Sequence, residues 1–272
     1  MAEEPLEILP DDEEEGGPVK TFLEHLEDLR WVLIKSLAAL GLGMAICLAA
    51  APQITSILTW PLQKAGINVK PNPMGPLGGF VISMKMALYG GITLALPLIL
   101  YVIGSFILPA LKKTEKKYFV RAFVIGGGLF LAGVLLCYVV ILPISLKGLV
   151  QYNDWMGLPT DIWRAEEYFG FVILFMVGMG LSFEIPVVIL TLVRVGIIPH
   201  EFLIKGRSYF FIANLVICAF ITPDAVSTIF MVIPVQVLME ICILISKSWE
   251  RQKRLAEAAA AASSNSIEGS VS

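Results

Sequence analysis

The side chains that could do chemistry in this chain are carboxylates in costly or crowded places. Glu184, in the run SFEIP, lies ten residues before Arg194. At helical rise that is about 15 Å from the end of its apolar segment, near mid-membrane. Insertion scales charge roughly 2.5–3.5 kcal/mol for such a group, so it faces a cavity or a partner. Pro186, two residues on, removes a backbone donor and presses on the carbonyl of Ser182, freeing polar groups beside the acid. Gln236 and Glu240 form an i,i+4 pair in a later apolar run, and Asn214 sits in a short one. These intramembrane polar groups have three readings: glue between the chain's own helices, contact with a separate transmembrane helix, or a proton relay.

A second set lies at the water boundary. In KTFLEHLEDLRWVLIK, Thr21 and Glu24 fit a capping box. Phe22, Leu26, Leu29 and Leu33 share one helical side, and Glu24, Glu27 and Asp28 the other. The acidic side is either a solvated face or a docking surface for something cationic. Glu115 is the one acid in KKTEKKYFVR. With Thr114 it is either the capped start of a helix or a carboxylate kept ionised by neighbouring cations. Covalent catalysis has little to work with. His25 and His200 both lie outside the apolar runs, and neither GxSxG nor HExxH occurs. Cys47, Cys137, Cys218 and Cys242 fall inside apolar runs with no CxxC spacing, which suggests neither a disulfide framework nor a metal site.

The elements that must position these groups belong to a membrane. A chain of 272 residues that is 57% hydrophobic, with a mean hydropathy of +0.79, is too apolar to be soluble and too long for one span. Eight of its 23 acidic residues fall in MAEEPLEILPDDEEE, a composition that excludes a secretory signal peptide and predicts a disordered tail over residues 1–19. The apolar runs predict an all-α polytopic fold of six transmembrane helices over residues 20–246, led by the amphipathic interfacial helix. The expected spans are Val32–Ala51, Met86–Leu108, Ala122–Leu142 ended by Pro143, Tyr168–Val193, Ser208–Ile221 and Ala225–Ile245. Thr222-Pro223-Asp224 forces the last two into an antiparallel hairpin. Fourteen residues make the fifth span roughly 21 Å long against a core of roughly 30 Å, unless it extends toward Arg207 and Asp224. Residues 247–272 read as a low-complexity, mobile tail.

Charge sets the orientation. Of the 20 Lys and Arg residues, 15 fall on the amino-terminal side, including Lys112, Lys113, Lys116, Lys117 and Arg121 in one loop. By the positive-inside rule both termini are cytoplasmic.

Four motifs carry a resemblance. FLEHLEDLR before the first span, FILPALKKTEK after the second, SFEIP in the fourth, and TPD followed by IPVQVLME resemble the TatC family, the multispanning subunits of the twin-arginine protein translocase, over about Thr21 to Ile245. The resemblance implies a non-enzymatic receptor and scaffold in the bacterial cytoplasmic (inner) membrane. It would bind Arg-Arg signal peptides of folded proteins at the cytoplasmic face and assemble TatA-like and TatB-like single-span partners for export driven by the proton gradient. The family's signal-recognition carboxylates fall on Asp28 and Glu115, and its intramembrane glutamate on Glu184. Paired guanidinium groups suit fixed carboxylates, which accept forked hydrogen bonds. Asp28 stands where the family has Glu, one methylene longer, so Glu24, one turn back, is a third candidate. Gln236 and Glu240 join Glu184 as expected partner contacts. Pro97, Phe106 and Asp224 fall on family positions, with packing or turn roles beside binding ones, and Thr228 stands in place of a Gln. Membrane lipid and further copies of the chain complete the implied partners; no cofactor, metal or nucleic acid is implied. A proton-coupled secondary transporter using Glu184 is the alternative; it would carry internal repeats, and none is evident across the halves.

Overall fold

The computed structural model describes residues 22–107, 113–195, 198–222 and 224–271, and is all-helical over them. Helix α1 runs unbroken from Phe22 to Ala49, so the acidic stretch and the first apolar run are one rod. Thr21, the expected cap, lies outside the described residues. Two short helices follow, α2 (Ala51–Leu58) and α3 (Trp60–Lys64), matching the short helices expected in that connector. Then come α4 (Gly78–Lys85), a π-helical turn at Met86–Gly90 and α5 (Gly91–Ile107), which together form one long rod. The second apolar helix therefore begins at Gly78, eight residues before the expected Met86. Lys85 is carried inside it.

The third run also exceeds its expected bounds. Helix α6 (Lys113–Leu136) passes through a π-helical turn at Cys137–Ile141 directly into α7 (Leu142–Trp155). Pro143 does not end it, because the proline sits in the first turn of the new segment, where a missing N–H costs no ladder bond. The widened turn also leaves the Val139 carbonyl available to accept from Lys64 Nζ at 2.7 Å, while Tyr138 Oη donates to the Ile57 carbonyl at 2.8 Å. The rod stops at Gly157, whose φ of +71° places it just past the helix end. Leu158 N–H and Gly157 N–H then close back on the carbonyls of Asn153 and Asp154, a Schellman ending.

Helix α8 (Ala165–Val195) is the central element, packed against α6, α4, α10 and α11 and continuous through Pro186. Short α9 (His200–Lys205) leads to α10 (Arg207–Ile221) and α11 (Ala225–Val271). The three-residue connection between the last two is as expected; Pro223 within it lies outside the described residues. Asp224 caps α11: its Oδ2 accepts from the Ser227 N–H at 2.6 Å, and its carbonyl accepts from Thr228 Oγ1 at 2.7 Å. The final helix overruns the expected end at Ile245, since the alanine-rich segment from Ala256 is a strong helix former. Among the described residues, five helical segments are long and apolar enough to cross a membrane: Leu23–Ala49, Gly78–Phe106, Val120–Trp155, Ala165–Arg194 and Ala225–Gln252. A shorter apolar helix, Arg207–Ile221, stands beside them.

Glycines let these rods approach closely. A methyl group on Gly43 of α1 would come within 2.7 Å of the Gly91 carbonyl oxygen of α5, and one on Gly180 of α8 within 2.6 Å of the Phe130 ring of α6. The larger core gathers Met86, Leu142, Phe175 and Met179, with Phe130 fully buried beside it; a smaller one seats Leu203 of α9 against Met239 and Ile243 of α11. Because the Gly43 neighbour is backbone and cannot swing aside, Gly43→Leu is expected to cost roughly 1–3 kcal/mol through overpacking. Gly41→Ala, which meets open space, should stay within about 0.5 kcal/mol. Thermal unfolding of the two purified variants in detergent measures the difference, and equal loss at both sites would remove the close α1–α5 contact as its cause.

Candidate functional site

Glu24 and Asp28 lie near the start of α1, which packs along α5. Helices α1 and α5 run antiparallel, since Gly43 meets Gly91 while, a long way back along α1, His25 meets Phe106. The His25 and Phe106 rings stack with centroids 4.7 Å apart and planes 29° apart. This contact pins the acidic turn of α1 to the last turn of α5. Asp28, one residue short of a full turn beyond His25, is half-buried, and Glu24 is exposed. Glu115 lies within α6, of which Lys113 is the first residue after the undescribed stretch 108–112; the expected helix start at Thr114 and Glu115 borders that stretch, and the Glu115 side chain lies outside the described residues. Phe106 takes a packing role in this arrangement. Pro97 sits within α5 without interrupting it.

Glu184 occupies a different seam. It projects from α8 onto α6 at Gly126, where an added methyl group would come within 2.7 Å of its Oε2. Its Oε1 is buried with no hydrogen-bond partner among the described residues. Ser182 Oγ, one turn away from Pro186, donates to the Gly178 carbonyl at 2.7 Å. The small residue opposite Glu184 leaves the carboxyl room between two packed helices, one of its oxygens open to a donor.

Gln236 and Glu240 do not join Glu184. Glu240 Oε1 accepts from Arg207 Nε at 2.6 Å and from Gln236 Nε2 at 3.2 Å, closing a network between α11 and the start of α10. Asn214 Nδ2 donates to the Val232 carbonyl at 3.3 Å and its Oδ1 accepts from Cys218 Sγ at 3.3 Å, so these groups hold the hairpin of α10 and α11 together. Gln236 Oε1 alone is left without a partner among the described residues, beside a cavity of about 50 Å³ bordered by Pro186 and Asn214. Glu184 thus faces α6, and Gln236 and Glu240 are engaged within the hairpin.

Two charged residues escaped the sequence reading. Arg207 is the partner of Glu240, a pairing across thirty-three residues that no local spacing announces. Lys85 is a lysine within a membrane-length helix; its signal was the apolar setting GFVISMKMALYGG, hidden by placing the span start one residue after it. Among the described residues, no three His, Cys, Asp or Glu side chains cluster as metal ligands would.

Comparison with known proteins agrees with the geometry. The family description "Sec-independent protein translocase protein (TatC)" matches residues 24–234. The chain is 35% identical over 231 residues to the TatC protein of Aquifex aeolicus, covering 85% of this chain and 96% of that one. It is 32% identical to the chloroplastic TATC of Pisum sativum over 219 residues, 80% of this chain and 59% of the longer plant protein. A crystal structure described as the twin-arginine translocase receptor TatC superposes with a TM-score of 0.73 at 33% identity, covering 82% of this chain and 99% of that one. Matching the family model over most of its length, and relatives from bacteria to chloroplasts over four-fifths of it, the chain belongs to the TatC family of Sec-independent protein translocase subunits.

Proposed function

We propose that this chain is a receptor for twin-arginine signal peptides and the scaffold on which single-span partners assemble. The observation that carries the reading is the His25–Phe106 stack, which sets the acidic turn of α1 beside the helix end that leads to Glu115. In the proposed arrangement the short helix Arg207–Ile221 is a sixth crossing, residues 20–246 form one membrane domain between two tails, and both termini lie in the cytoplasm. The excess of Lys and Arg at the same end as residue 22 supports that orientation.

The mechanism is recognition without covalent chemistry. Asp28 and Glu115, with Glu24 one turn from Asp28, accept hydrogen bonds from two adjacent guanidinium groups. Each Arg–carboxylate fork contributes both charge and direction, and lysine reproduces only the charge. Deeper in the bundle, Glu184 offers an unpaired carboxyl oxygen to a polar group on an entering TatA-like or TatB-like helix, and Gln236 offers a second. Further copies of the chain complete the assembly, and the proton gradient drives transport.

Glu115→Ala is expected to insert normally and to weaken capture of an Arg-Arg signal peptide roughly 10- to 100-fold, the size of one or two lost charge-assisted hydrogen bonds. Photo-crosslinking from the signal peptide measures this; undiminished crosslinking rejects the pocket. Comparing Asp28→Asn with Glu24→Gln in the same assay assigns the second carboxylate. Glu184→Ala should keep signal-peptide crosslinking and reduce copurification of the single-span partners, and an unchanged export rate with intact partner recovery would remove Glu184 from the mechanism.

A further inference from the structure

A cavity lies at the opposite end of the bundle from the acidic turn of α1. It holds about 880 Å³ and is bordered by α7, the connector after it, the first turns of α8 and the end of α10. Its existence follows from a length mismatch. Helix α10 has 15 residues, about 22 Å at helical rise, so it stops short of a core of roughly 30 Å. Leu146, Leu149, Phe171, Leu174 and Phe220 form the apolar walls of the space left over, and Phe220 is 88% exposed. Filling such a space with water would leave these walls wet at a depth where the surroundings are hydrocarbon.

Lys85, Arg164, Glu167 and Asp224 border the cavity together. Arg164 Nη1 pairs with Glu167 Oε1 at 2.9 Å. Asp224 Oδ2 caps α11, and its Oδ1 is buried without a partner among the described residues. Lys85 is the cation on this wall without a carboxylate partner. Its Nζ donates to the Glu166 carbonyl at 3.1 Å, its one hydrogen bond among the described residues, and no carboxylate oxygen among them comes within ion-pair distance. The Glu166 side chain turns away, its Oε1 accepting from the Met74 N–H at 3.2 Å. Gly170 gives the ammonium its room: a methyl group there would come within 2.9 Å of Lys85 Nζ. A half-buried ammonium has three donors and here spends one. Trp163 and Tyr168 border the same cavity, the residue types that mark headgroup depth in a bilayer.

We infer that this cavity is a binding site for one anionic phospholipid, its phosphate on Lys85 with Arg164 at the rim and its acyl chains over Phe171, Leu174 and Phe220. The unspent donors of the Lys85 ammonium select the headgroup phosphate, and the space above the short α10 selects the chains. The lipid completes a bundle whose fifth apolar helix is too short to seal it.

The full chain, purified in nonionic detergent and stripped of lipid, is titrated with phosphatidylglycerol, phosphatidylcholine or inorganic phosphate, and bound species are counted by native mass spectrometry. Phosphatidylglycerol should bind at least about tenfold more tightly than the other two. Lys85→Gln should weaken it about tenfold and Lys85→Arg less than about threefold. Leu174→Trp, which fills the apolar wall and leaves every charge in place, should also weaken it, and helix content by circular dichroism confirms that each variant is folded. Equal affinity for phosphatidylcholine, or phosphate alone binding as tightly, overturns the proposal. Unchanged phosphatidylglycerol affinity in Lys85→Gln also overturns it. Should Lys85→Gln fail to fold, wild-type affinity in Leu174→Trp is the overturning result.

Discussion

Close backbone approach between helices is the constraint on which this structure depends. In a lipid surround, apolar side chains gain little by leaving hydrocarbon for a protein interior, so helices associate through van der Waals packing and hydrogen bonds. Gly126 and Gly133 on α6 and Gly180 on α8 allow that packing: Gly133 lies against Phe183 and the Met179 carbonyl, and Gly180 receives Phe130 and Val134. Gly43 and Gly91 do the same for α1 and α5. Each contact pins one helix to another at a definite height, and those heights decide which polar groups meet.

From that follows the different treatment of the carboxyl groups. Glu184 lands opposite Gly126, where there is room for the group and, among the described residues, no donor for one of its oxygens. Glu240 lands beside Arg207 and is satisfied within the chain. Both are glutamates in apolar helices, and both looked alike by spacing. The difference lies in the neighbouring helix, which supplies a glycine in one case and a guanidinium in the other.

The connectors carry a second layer of organisation. Tyr168 Oη donates to the Leu58 carbonyl at 2.7 Å, Tyr138 Oη to that of Ile57, and Lys64 Nζ to that of Val139, so the ends of α2 and α3 are tied to α8 and to the π-helical turn before α7. Backbone bonds between Asn72 and the Trp163–Ala165 segment join the two long connectors. These bonds satisfy carbonyls that helix ends leave without partners. They also build the walls of the cavity above α10.

Composition and apolar run length were enough to determine an all-helical membrane protein, the unbroken passage from the acidic turn into the first long helix, and the tight hairpin around Asp224, while four short motifs carried the resemblance to the TatC family. Those features are local: hydrogen bonding within a helix, apolar length and cap chemistry depend on residues close in sequence. Helix ends were less legible. Pro143 reads as a terminator by itself, and only the π-helical turn before it, held by the Ile57 carbonyl of α2 and the Lys64 side chain of α3, makes it the start of a further helix. Which acids share a seam, whether Glu240 is free or paired, and why Lys85 faces a cavity were decided by tertiary structure alone. Each depends on the height at which two distant helices touch, and that height is set by glycine contacts between segments whose spacing along the chain says nothing about it.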